Sequence, residues 1–132
     1  MLFKGINFNQ KDIKMSIAIY AQWEPMRSLG FASVVAGYTA IGTPLDHRTV
    51  IVYFDNTTDK EVTISFDGTN DHFNLPATTF RPLEICNNKV SSEGLFIPYG
   101  TTVYVKRSAA GAPGSGSVFV SAVYASTDGI KE

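Results

Sequence analysis

The alternation of apolar and polar positions is clearest between Val50 and Leu75, in VIVYFDNTTDKEVTISFDGTNDHFNL. Val50 to Phe54 is an unbroken run of β-branched and aromatic residues, which predicts a strand covered on both faces and central in its sheet. Val62, Ile64 and Phe66 alternate with Thr63 and Ser65, the period of two of a half-buried strand. Asp55 to Asp59 lies between them. Its short polar side chains bond to nearby backbone, so the two strands are expected to pair as an antiparallel hairpin. Asp67-Gly68 turns the chain again.

The remaining pattern is of short strands set off by turn residues. Phe31 to Ile41 predicts a strand, with Gly37 at a bulge or close approach, ended by Gly42-Thr43-Pro44. Phe73 to Leu75 is a short strand stopped by Pro76. Thr79 to Ile85 is another, which Pro82 confines to a sheet edge or a bulge. Phe96-Ile97 precedes a turn at Pro98-Tyr99-Gly100. Thr101 to Lys106 and Ser117 to Tyr124 predict the last two strands, separated by SAAGAPGSG, a glycine-rich linker expected to be mobile. No stretch predicts a helix of ordinary length and there is no internal repeat. The fold class expected is therefore all-β, a single β-sandwich or jelly-roll-like domain over residues 27–132.

Residues 1–26 break this pattern. Ile17, Ile19 and Ala21 alternate briefly and Trp23-Glu24-Pro25 ends the run, so the segment is expected to be an extended N-terminal arm. Its apolar side chains, Phe3, Ile6, Phe8, Ile17, Ile19 and Trp23, are the candidate partner-binding residues. A neighbouring subunit is the expected partner, with packing on the arm's own domain as the plainer alternative.

Composition narrows the functional classes. A chain of 132 residues is the size of one domain and can bury a core without covalent staples. Its single cysteine, Cys86, has no intramolecular partner and is expected to be a buried, inert thiol in a protein made in a reducing compartment. A net charge of −1 lacks the basic excess that phosphate backbones require, so nucleic acid is not the expected partner. Charged residues make up 17% of the chain against about 25% in ordinary soluble domains, which suggests a surface partly covered by other subunits. No apolar run is long enough for a membrane span, and MLFKGINFNQKDIK has no signal-peptide core.

Candidate chemistry is sparse. Asp67-Gly68-Thr69-Asn70-Asp71 has oxygen ligands and a glycine, but not the remaining spacing or the distal glutamate of a calcium loop; a turn is preferred. If the central hairpin pairs as expected, Asp46-His47 and Asp71-His72 fall at one end of a sheet and offer a zinc or manganese set. Neighbouring residues on a strand point to opposite faces, so histidines that satisfy turns are the preferred account. There is no Gly-x-Ser-x-Gly elbow and no Cys-His-acid spacing, and Gly114-Ser115-Gly116-Ser117 lacks the lysine of a phosphate loop. No catalytic residue and no cofactor is expected. Trp23, Tyr38, Tyr99 and Tyr104 could form an aromatic platform for sugars if several stood side by side.

From Arg27 to Tyr124 the chain resembles small β-sandwich virion structural proteins of tailed bacteriophages. The residues that carry the likeness are Arg27-Ser28-Leu29-Gly30-Phe31, YTAIGTPL from Tyr38, NTTD from Asn56, ISFDG from Ile64, Asp71-His72-Phe73 with Leu75-Pro76-Ala77, Asn88-Lys89, GTTVYVK from Gly100 and Gly116-Ser117-Val118. The resemblance does not cover the arm and supplies no catalytic residues. It implies a non-enzymatic particle component present in many copies, either decorating the head or placed at the neck between head and tail. It would contact other virion proteins (capsid, portal, neck or tail subunits) and copies of itself, with assembly in the host cytoplasm. A particle-borne module binding host glycans is the alternative.

Overall fold

Val52 and Phe54 are sealed at 0% exposure, while Tyr53 and Asp55, which alternate with them, are only half buried. The long apolar run is thus one strand with a core face and a partly open face. The computed structural model describes residues 20–85 and 95–126, which form nine strands. These are β1 (Tyr20–Trp23), β2 (Arg27–Gly30), β3 (Thr39–Ala40), β4 (Thr49–Asn56), β5 (Val62–Ser65), β6 (Phe73–Leu75), β7 (Thr79–Glu84), β8 (Tyr104–Arg107) and β9 (Ser117–Ser126).

They build two antiparallel sheets packed as a sandwich. The first has the order β1-β9-β4-β7, with β2 also paired to β9; the second has the order β3-β8-β5-β6. β1 and β2 lie end to end along one edge of β9, Tyr20–Trp23 opposite Ser126 to Val123 and Arg27–Gly30 opposite Val120 to Ser117. Part of the segment expected as an arm therefore belongs to the first sheet, while Phe3, Ile6, Phe8, Ile17 and Ile19 lie outside the described residues. The core lies between the sheets. Phe54 is its centre, edge-to-face with Phe66 and Phe73 at ring separations of 6.1 and 5.2 Å.

β4 is central, as its apolar run predicted, and of the two settings that Pro82 allowed, edge or bulge, β7 takes the edge. The expected hairpin is not formed. β4 and β5 belong to different sheets, and the polar turn between them is a corner from one sheet to the other. Asn56 decides this. Its buried Nδ2 donates to the carbonyls of Lys60, Leu75 and Pro76 at 3.0 to 3.1 Å, and its Oδ1 accepts from the Thr58 N–H and hydroxyl at 2.9 and 2.6 Å. One side chain thereby ties the turn after β4 to the backbone at the end of β6, in the other sheet.

Two further expectations change. Phe31 to Ile41 is not a strand: after β2 the chain makes a 3-10 turn at Phe31–Ser33 and crosses to the second sheet, where only Thr39–Ala40 pairs. Val34 and Ile41 turn into the core during that crossing, while Phe31 and Val35 stay exposed. The glycine-rich linker is tied down rather than loose. Gly114 N–H donates to Asp59 at 2.8 Å, the Ser108 hydroxyl donates to the Glu61 carbonyl at 3.1 Å, and Gly116 has φ +86°. A Cβ on Gly116 would stand 2.3 Å from the Thr57 carbonyl oxygen, so this close approach requires glycine.

Candidate functional site

Because Val52 and Phe54 point into the core, alternation turns Tyr53 and Asp55 to the outer face of the first sheet. On the neighbouring strands Trp23 stands opposite Val123, Ser121 opposite Tyr53, and Phe80 opposite Asp55. The rings form a row. Trp23 and Tyr53 stack at 5.7 Å with planes 16° apart, and Tyr53 and Phe80 at 5.5 Å with planes 19° apart, offset arrangements favoured by ring quadrupoles. The row is open to solvent: Trp23 is 61% exposed, Phe80 58% and Met26, at the corner between β1 and β2, 62%. Beside it Met26, Tyr53, Asp55, Phe80, Phe119 and Ser121 line an open depression of about 240 Å³. A contiguous apolar patch rimmed by polar groups marks an interaction surface more often than scattered single residues do.

A buried polar pin holds the corner that carries Trp23 and Met26. The Glu24 carboxylate takes an ion pair from Arg27 at 2.9 Å, the Asp46 N–H at 3.0 Å and His47 Nδ1–H at 2.7 Å. Arg27 in turn donates to the carbonyls of Thr43 and Pro44 at 2.7 and 2.9 Å. Burial pushes the Glu24 carboxyl up, but the hydrogen bonds from His47, Asp46 and Arg27 outweigh it and leave the group below its ordinary range. His47 also stacks on Tyr124 at 3.6 Å with planes 4° apart. These contacts join β1, β2, β9 and the loop before β4.

The Asp67 to His72 turn is built differently. Asp67 accepts from the N–H groups of Asn70 and Thr69 and from the Asn70 amide, each at 2.8 Å, and these bonds hold its carboxyl well below the usual range. Its oxygens thus close the turn. Asp71 accepts from the Tyr38 hydroxyl and from Lys106 at 3.0 Å, which lowers its pKa; Tyr38 is pushed up to about 12, chiefly by desolvation and then by Asp71. His72 Nδ1 accepts from the Phe66 N–H at 3.0 Å.

The metal set considered from sequence does not come together. Asp46 and His47 gather on Glu24, while Asp71 and His72 join Tyr38, Lys106 and Phe66. Convergence needed β4 to pair with β5, and that pairing does not exist. Among the described residues no group of three or more His, Cys, Asp or Glu is placed to hold a metal. The four aromatics considered for sugars do not share a platform either. Tyr38 meets Tyr104 edge-to-face at 6.5 Å on the second sheet's side, and only Trp23 belongs to the row. Cys86 lies outside the described residues.

Of the candidate partner residues, Trp23 alone is described, and it is in the open row. Tyr53, Phe80, Phe119 and Met26 were not singled out from sequence. A signal was available for Phe80: with Pro82 and Glu84 it forms the outward set of a strand that proline had already marked as an edge. No known protein-family description matches the chain, and comparison with curated proteins finds no match.

Proposed function

We propose that this chain is a non-enzymatic structural subunit of a bacteriophage virion, packing in multiple copies on the head as a decoration or cement protein or at the head-tail neck. The observation that carries this is the aromatic row on the outer face of the first sheet. An exposed ladder of rings costs solubility and returns free energy only when another surface covers it, at about 25 cal/mol per Å² of apolar area. The likeness of Arg27 to Tyr124 to phage virion sandwiches supplies the setting. In that setting the partners are other virion proteins and further copies of the chain, and repetition of modest contacts stabilises the particle. The test is incorporation: particles assembled with a Phe80→Asp variant should lack the protein, while wild type is retained in many copies. Retention of the variant at wild-type copy number contradicts the proposal.

One observation favours a second role, binding of a host glycan: Asp55 and Ser121 bring polar groups to the edge of the depression. The ring geometry weighs against it. Tyr53 has Trp23 stacked to one side and Phe80 to the other, so its faces are less free for the flat approach of a sugar. A glycan array with the purified protein separates the two, since no bound glycan is expected on the structural account.

A further inference from the structure

We infer that the aromatic face of the first sheet is the seat for residues 1–19 of a second copy of this chain. This rests on the assembly role proposed above and names its contact. The direction of β1 is the first argument. The chain enters the sheet at Tyr20, opposite Ser126, and reaches the row only at Trp23, opposite Val123; the row then continues to Tyr53, opposite Ser121, and to Phe80, opposite Asp55, which faces Phe119. β1 thus runs toward the row, and residues 1–19 are joined to the end of β1 that lies away from it. Nineteen extended residues can span about 63–68 Å, against roughly 14 Å for the three strand spacings of the sheet, so the segment is long enough to lie across the whole face.

Chemical complementarity is the second argument. Residues 1–19 contain the apolar pairs Ile6 and Phe8, and Ile17 and Ile19, at the spacing that puts both members on one side of an extended chain, with Phe3 beyond. Three lysines, Lys4, Lys11 and Lys14, stand against the single acid Asp12. The face they would meet carries Asp55 in the depression, and Glu84 on the same side of β7 as Phe80. The β7 edge of the sheet is a poorer seat. Pro82 lacks an N–H, so β7 cannot extend an unbroken ladder to an added strand, and the contact falls on the face.

Full-length protein provides the test, since Trp23 is its only tryptophan and lies in the row. Light scattering across a range of concentrations, read alongside Trp23 emission, compares wild type with a face variant, Phe80→Asp, and an arm variant, Phe3→Asp with Phe8→Asp. Wild type should gain mass with concentration as Trp23 emission moves to the blue. Each variant should associate roughly thirtyfold more weakly, as expected on losing a contact of hot-spot size. Mixed, the two variants should form a 1:1 dimer, because one brings an intact arm and the other an intact face. A mixture without that dimer, or an arm variant that associates like wild type, overturns the inference. Association lost in the face variant but kept in the arm variant removes the arm as occupant and leaves assembly through the face standing. Wild type that stays monomeric at every concentration overturns the exchange between copies, while incorporation into particles tests the assembly role separately.

Discussion

The two outer faces of the sandwich have similar backbones and opposite surfaces. On the second sheet, Thr63 bonds Asn74 at 2.8 Å, Ser65 bonds Asp67 at 2.9 Å, and Lys106 lies 4.8 Å from the centre of the Tyr38 ring while pairing with Asp71. Polar side chains there are satisfied by the protein's own strands and turns. Thr63 and Ser65 are buried as a result, although they alternate with core residues. On the first sheet the corresponding positions hold Trp23, Tyr53 and Phe80, a stacked row in which Trp23 and Phe80 are more than half exposed. A face that completes its own hydrogen bonds contributes to folding. A face of open rings gains most from a partner.

That contrast can be broken from several directions, the largest effect being at the pin beneath the aromatic corner. Glu24→Ala should cost about 3–5 kcal/mol in chemical denaturation, because Glu24 and Arg27 have side chains only 1% and 7% exposed and the arginine would be left buried without its acid. The same variant should shift Trp23 emission, since Glu24 holds the corner next to it.

The pin also sets a pH dependence. A carboxyl held below its ordinary value of 4.5 in the folded state stabilises the fold above that value and loses the contribution as pH falls through the lowered one. Melting temperature should therefore fall on acidification below pH 4.5, and Glu24→Gln should show a shallower fall over the same interval.

Smaller effects distinguish the faces directly. Tyr38→Phe removes the hydroxyl that bonds Asp71 and should cost about 1 kcal/mol in denaturation while leaving association unchanged. In alkaline titration it should also remove the phenol whose pKa is pushed up to about 12. Phe80→Ser should differ in its effect on association: stability lower by about 0.5–1.5 kcal/mol for the lost stack on Tyr53, with association strongly weakened in light scattering. Two variants with the same phenotype would remove the distinction between the faces.

Much of the sandwich was legible as strands. β4, β6, β7 and β9 follow from apolar runs ended by Pro76 or turn residues, and Pro82 narrowed β7 to an edge or a bulge, of which the sheet order gives the edge. Which sheet each strand joins was not legible, because Asp55 to Asp59 is a plausible tight turn for either a hairpin or a corner. The three carbonyls that Asn56 reaches include Leu75 and Pro76, far away in sequence, and they settle the choice. The metal set failed with that hairpin. β1 and β2 escaped notice because each is four residues long and lies along β9 without a clean alternation of its own. The aromatic row was half visible: Trp23 was singled out as a partner residue, but Tyr53 sits in an apolar run that cannot reveal that one of its faces is left uncovered.

On the assembly proposed, the aromatic face of the first sheet is covered by subunit contacts. Hydroxyl-radical footprinting of the free protein and of intact particles tests it most directly. Trp23, Tyr53 and Phe80 should be strongly protected in the particle, with Tyr38 and Tyr104 on the second sheet's side nearly unchanged. Equal reactivity of the row in both states, or protection confined to the second sheet, would contradict it.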